Sequence, residues 1–112
     1  MSAPQVDFEL DSFQLVLLRP GPAAGTLDDA TVTRLQGEHI AHNFALVAAG
    51  QLEVAGAVVG TESLVGLGFS RLPPEQLAKL TADDPGVRAG LYTVELVQYL
   101  CPKGMISFAE AG

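Results

Sequence analysis

The chain is short of several residue types, and each shortage excludes something. There is one cysteine, Cys101, so no disulfide can form within the chain and no metal site can rest on a cysteine cluster. Six lysines and arginines stand against thirteen aspartates and glutamates, for a formal net charge of −7 at pH 7. The basic residues are scattered, and without a basic stripe to meet phosphates no nucleic-acid partner is expected. No apolar run approaches the roughly 18–20 residues of a membrane span. The opening "MSAPQVDFELDSF" is acidic and lacks the basic-then-apolar order of a secretory signal, so a reducing cytoplasm is the expected compartment. No serine sits in a glycine-flanked nucleophile elbow. The glycines of "VGLGF" lie inside a strand-like run, not between strand and helix, so they form no phosphate loop; they are expected to let a helix approach closely or to bend the sheet.

What is present is apolar and compact. Of 112 residues 48% are hydrophobic and only 17% charged, which suits one domain with one core. "FQLVLLRPGP" reads as a buried strand closed by Pro20, Gly21 and Pro22. A helical period follows, capped by Thr26 or Asp28 and stopped at Gly50. "QLEVAGAVVG" and "SLVGLGFSRL" read as two strands joined by the turn "GTES". Pro73-Pro74 opens a second helix that breaks at "DDP" and stops at Gly90, and "LYTVELVQYL" is a fourth strand. The order β-α-β-β-α-β predicts an α+β, ferredoxin-like fold, one antiparallel four-stranded sheet with both helices on one face. The expected organisation is a lead-in over 1–12, one domain over 13–100 and a tail over 101–112.

Such a sheet should be polar on its uncovered face in a monomer. Here both faces are apolar. Phe13, Leu15 and Leu17 alternate with Val16 and Leu18, and Tyr92, Val94 and Leu96 with Leu91, Val97 and Tyr99; in the second strand Leu52, Val54 and Val58 alternate with Ala55, Ala57 and Val59. The chain has no further element to spend on the second face, so a homodimer packed sheet to sheet is expected. The sequence leaves open whether dimers stack into a higher oligomer.

The only two histidines, His39 and His42, fall in the first helix. At about 100° per residue, Val32, Leu35, His39 and Leu46 share one stripe, with His42 at its edge and Arg34, Gly37 and Ala41 opposite. An imidazole under a helix needs a hydrogen-bond partner. A carboxylate would fix its tautomer and orient the ring, as a general acid or base requires. The plainer reading is a satisfied core histidine. A metal on the "HxxH" pair would lack a third ligand, so no metal is expected. Asp83 and Asp84 are the nearest motif-like acids; Asp84, before Pro85, is a natural N-cap, and one carboxylate can cap with one oxygen and face a histidine with the other. Cys101 is expected to be an inert thiol.

The segments "FQLVLLRPG", "HIAHNFALVAAGQLEVAG" and "ADDPGVRAGLYTVELVQY" together resemble the YCII-related family, over roughly Phe13 to Tyr99. His39, Gly50, Ala55-Gly56, Asp84-Pro85 and Ala89-Gly90 match its pattern in order and distance; Ala57 replaces a frequent proline, and Asp83 the usual residue before the aspartate. The resemblance implies a dimeric α+β barrel with a His-Asp pair, His39 and Asp84, in a pocket between helix and sheet. His42, Gly56 and Tyr92 are expected at that pocket. A family relative is a lyase that removes chloride from a hydroxylated aromatic ring. The expectation is therefore a small enzyme without metal or organic cofactor, moving a proton on a small cyclic or aromatic substrate in lyase or isomerase chemistry. The alternatives are a non-catalytic binding or regulatory module, and a purely structural dimer.

Overall fold

The computed structural model describes residues 8–109; the start of the acidic lead-in, 1–7, and the last three residues of the tail lie outside the described residues. Strand β1 is Leu10–Pro20, helix α1 is Asp29–Ala48, β2 is Val54–Ala57 and β3 is Gly66–Ser70. Helix α2 is Pro74–Ala82, the single turn α3 is Pro85–Arg88, and β4 is Tyr92–Pro102. The sheet order is β2-β3-β1-β4, with every neighbouring pair antiparallel. This is the ferredoxin-like α+β arrangement.

Local chemistry explains the ends of the elements. Asp28 caps α1 by accepting from the Thr31 amide at 2.9 Å. At the other end Gly50 takes φ +73°, and the amides of Gly50 and Gln51 return to the carbonyls of Val47 and Leu46. That left-handed residue costs a side chain more than it costs glycine. Strand β2 is shorter than its apolar run, because Val58 and Val59 leave the sheet and Val59 faces solvent. Strand β4 instead outlasts the run, pairing with β1 from Pro20↔Tyr92 to Leu10↔Pro102.

The register decides the two faces. Val16 is opposite Leu96 and Gly68, and Leu18 is opposite Val94 and Gly66, so these side chains share one face. Both helices cover it: Leu46 of α1 and Leu77 of α2 meet with Leu52, against Val16, Ala55 and Leu96. Leu52 reaches this core although Val54, with which it alternates in phase, points to the other face; Leu52 precedes the strand and escapes its alternation. Gly66 and Gly68 stand under α1 as a floor without side chains. The expectation that they draw the helix close is not met; they leave a hollow instead.

The second face carries Leu15, Leu17, Leu67, Phe69, Val97 and Tyr99. Part of its cover comes from the chain itself. The tail turns at Gly104 and lays Phe108 edge-on against Phe13, centroids 5.7 Å apart, and beside Phe69 at 5.8 Å, while the Arg71 guanidinium lies 4.8 Å from the Phe13 ring. Phe13, under these contacts, is buried; Cys101 is buried too. The tail does not extend over the whole face: Val97 and Tyr99 remain exposed. No helix among the described residues is long and apolar enough to cross a membrane.

Candidate active site

The site begins with a backbone contact beside Tyr92. After β1 the chain folds over the turn that precedes β4, and the amides of Gly21 and Ala23 donate to the carbonyls of Leu91 and Gly90, both at 2.8 Å. A Cβ on Gly21 would lie 2.3 Å from the Gly90 oxygen, so only glycine allows this approach. The contact ties the entry of α1 to the exit of α3. It sets α3, and the aspartate at its start, against the face of α1.

Asp84 is the N-cap of α3, and it is 3% exposed. Its Oδ1 accepts from the Gly86 amide at 2.8 Å, and its Oδ2 is hydrogen-bonded to His39 Nδ1. Asp83 points elsewhere and pairs with Arg88 on the surface. Burial alone would raise the pKa of Asp84 toward protonation. The hydrogen bonds from His39 and Gly86, joined by the charge each histidine carries when protonated, outweigh it and hold the carboxyl below the ordinary aspartate range. Asp84 is therefore a carboxylate at neutral pH.

His39 lies where the helical stripe predicts, with Leu35 and Leu46 buried on the same side of α1. Its ring leans on Tyr92, centroids 4.8 Å apart and planes tilted by 51°. The Nε2 atom lies 3.2 Å from Asn43 Nδ2. His42 has a different partner: its Nε2 donates to the Leu80 carbonyl at 2.9 Å, bracing α1 against the last turn of α2. The two imidazoles are thus committed to separate partners. Tyr92 ionises above the ordinary tyrosine range because it is buried and because the Asp84 charge is near; a hydrogen bond with Gln36 opposes both.

These residues border a hollow between α1 and the sheet. A cleft of about 40 Å³ lies over Gly66 and Gly68, walled by Val16, Leu18, His39, His42 and Asp84. That volume holds a few waters and no more. It adjoins a wider groove of about 710 Å³ bounded by His39, Ile40, Phe44, Val54, Gly56 and Tyr92, a size that suits a small organic ligand. Ile40 and Phe44 are 51% and 70% exposed, so the groove has apolar walls open at the side. All of His39, Asp84, His42, Gly56 and Tyr92 lie at the cleft or the groove.

The solved structures contain a match of the same fold. It is 5-chloro-2-hydroxyhydroquinone dehydrochlorinase from Burkholderia phenoliruptrix AC1100, in complex with 2,5-dihydroxybenzoquinone, with a TM-score of 0.56. The alignment covers 78% of this chain and 90% of that one, at 17% identity. The likeness is one of fold. No protein-family model matches this chain, and no curated protein does.

Sequence periodicity did not single out Asn43, Gln36, Ile40 or Phe44. Asn43 had a signal, its position one helical turn after His39, four residues on. The other three flank the stripe, and nothing in the pattern distinguishes a groove wall from an ordinary surface.

Proposed function

We propose that the protein is a small cytoplasmic enzyme in which His39, held by Asp84, moves a proton on a cyclic or phenolic substrate lodged in the groove. One observation carries this reading: His39, which lines the groove, has one nitrogen committed to a buried carboxylate and the other met only by the Asn43 side chain. A carboxylate on Nδ1 keeps the hydrogen there and leaves Nε2 with the lone pair a base needs. Nε2 would take a proton from a ring hydroxyl or ring carbon, and the electron pair left behind would move into the ring. In an elimination a leaving group then departs with its own bonding pair; in an isomerisation the proton returns at another carbon. The fold shared with a dehydrochlorinase that binds a dihydroxybenzoquinone supports the choice of ligand class, as does the resemblance of His39, Gly50 and Asp84-Pro85 to the YCII-related pattern.

The working unit in this proposal is a homodimer. Leu15, Leu17, Leu67 and Val97 form an apolar surface on the open face, where Val97 and Tyr99 remain exposed. A second copy packed sheet to sheet would bury it.

Two measurements test the enzymatic reading. Calorimetric titration with 2,5-dihydroxybenzoquinone should show binding that H39Q weakens. A panel of chlorinated and hydroxylated aromatics, followed by chloride release and ring absorbance, should show turnover that H39Q lowers by at least about a hundredfold with the fold retained. Binding without turnover in any compound would instead establish a binding or regulatory module. A large loss of melting temperature in H39Q, with no ligand bound by the wild type, would leave only a structural role for the pair.

A further inference from the structure

Asn43 stands in the interior of a twenty-residue helix, five residues before its last, where asparagine is a poor helix former and has no N-terminus to cap. Its carboxamide nitrogen lies 3.2 Å from His39 Nε2. The direction of that bond follows from the other side of the ring. Asp84 is ionised and has no hydrogen to give, so Nδ1 must carry the one shared with Oδ2. A neutral imidazole protonated at Nδ1 offers only a lone pair at Nε2, and Asn43 must meet it with N–H, since its carbonyl oxygen would face lone pair to lone pair.

Resting on the reading of His39 as the base, we propose that Asn43 is a catalytic residue that exchanges partners during the reaction. In the empty site its Nδ2–H holds the Nε2 lone pair at the groove wall. When a substrate hydroxyl reaches Nε2, the Asn43 N–H keeps its hydrogen and turns its hydrogen bond from the imidazole nitrogen to the substrate oxygen. The O–H bond then breaks, an Nε2–H bond forms, and the electron pair stays on oxygen. The resulting imidazolium is held by Asp84 and the oxyanion by Asn43. At 3.2 Å the resting contact is at the long end for a hydrogen bond, so giving it up costs little. The i, i+4 spacing on α1 keeps donor and base on one face throughout. A donor already aimed where negative charge develops needs no reorganisation when the proton moves.

The test uses the full-length protein labelled with ¹⁵N, with N43A and the isosteric N43L beside H39Q. Long-range ¹H–¹⁵N spectra of the histidine rings should show wild-type His39 as the Nδ1–H tautomer, its Nε2 signal displaced upfield by the amide donor. In N43A and N43L that signal should move downfield while Nδ1 keeps its hydrogen. Calorimetric titration with 2,5-dihydroxybenzoquinone should show affinity falling about tenfold or more in both variants. An unchanged Nε2 signal in both variants would overturn the proposal. So would full ligand affinity in both while H39Q abolishes binding. If the Nε2 signal moves but neither H39Q nor the Asn43 variants alter binding, the contact stands and the reading of His39 as a base is what fails.

Discussion

Asp84 joins His39 across 45 positions of chain, giving Oδ2 to the imidazole while Oδ1 caps the turn that begins with Pro85. The two uses can be separated by substitution. D84A removes both and leaves a nearly buried imidazole without its partner, so it should cost about 3 kcal/mol in urea unfolding. D84N keeps an oxygen for the Gly86 amide and should cost clearly less. Equal losses would mean that the cap contributes nothing.

Acid stability should follow the carboxylate. Folding lowers the Asp84 pKa below its ordinary value of 3.8. Between the folded and unfolded values the unfolded chain binds more protons, so stability rises with pH there. The Asp84 contribution is complete above the unfolded value and is lost as pH falls through the folded one. The difference in unfolding free energy between wild type and D84N should be level near neutrality and shrink below about pH 4. A difference that stays constant down to pH 2 would contradict the assigned ionisation.

Tyr92 gives an optical handle on the same site. Burial and the Asp84 charge raise its pKa above 10.0. In Y99F it is the only tyrosine, and its absorbance on alkaline titration should appear late. Adding D84N should bring it earlier by removing one of the two raising causes. The sign for stability is opposite to that of Asp84: this contribution is whole below pH 10 and lost as pH rises through the folded value.

The hollow under α1 depends on two missing side chains. A Cβ on Gly66 would sit 3.0 Å from Leu18 Cβ, and one on Gly68 would sit 3.0 Å from the Val54 carbonyl. Neither neighbour is the far end of a flexible chain. G66A and G68A should each cost about 1–3 kcal/mol by overpacking. Gly66 borders the groove as well as the cleft, and Gly68 borders only the cleft. G66A should therefore weaken 2,5-dihydroxybenzoquinone binding while leaving His39, Asp84 and Asn43 in place, and G68A should change it little. Unchanged affinity in G66A would contradict a ligand lodged against that part of the groove.

The open face predicts an assembly. Val97 is 37% exposed on the side of the sheet away from the helices. V97E places a charge there without touching the core. Light scattering should show a dimer for the wild type and a monomer for V97E, with little change in circular dichroism. A wild-type monomer at high concentration would dispose of the sheet-to-sheet dimer.

Reading the sequence alone located the elements and the stripe that carries His39, because helical period, caps and glycine stops are local. Asp28, Gly50, Pro85 and Gly90 act within a few residues of themselves, and each is where its local chemistry places it. The ends of β2 and β4 were less legible, since a strand stops where its partner stops and not where its own apolar residues do.

Local pattern alone marked His39, and it marked Asp84 as a cap; it was the family resemblance that paired them. Only the folded chain decided that they touch, that His42 turns instead to the Leu80 carbonyl, and that Asn43 reaches the free side of the ring. It also decided that Phe108 returns to cover Phe13. These contacts join distant segments, and their geometry depends on strand register and on Gly21 letting one backbone lie against another. Periodicity specifies which way a side chain leaves its own element. What it meets there is set by packing.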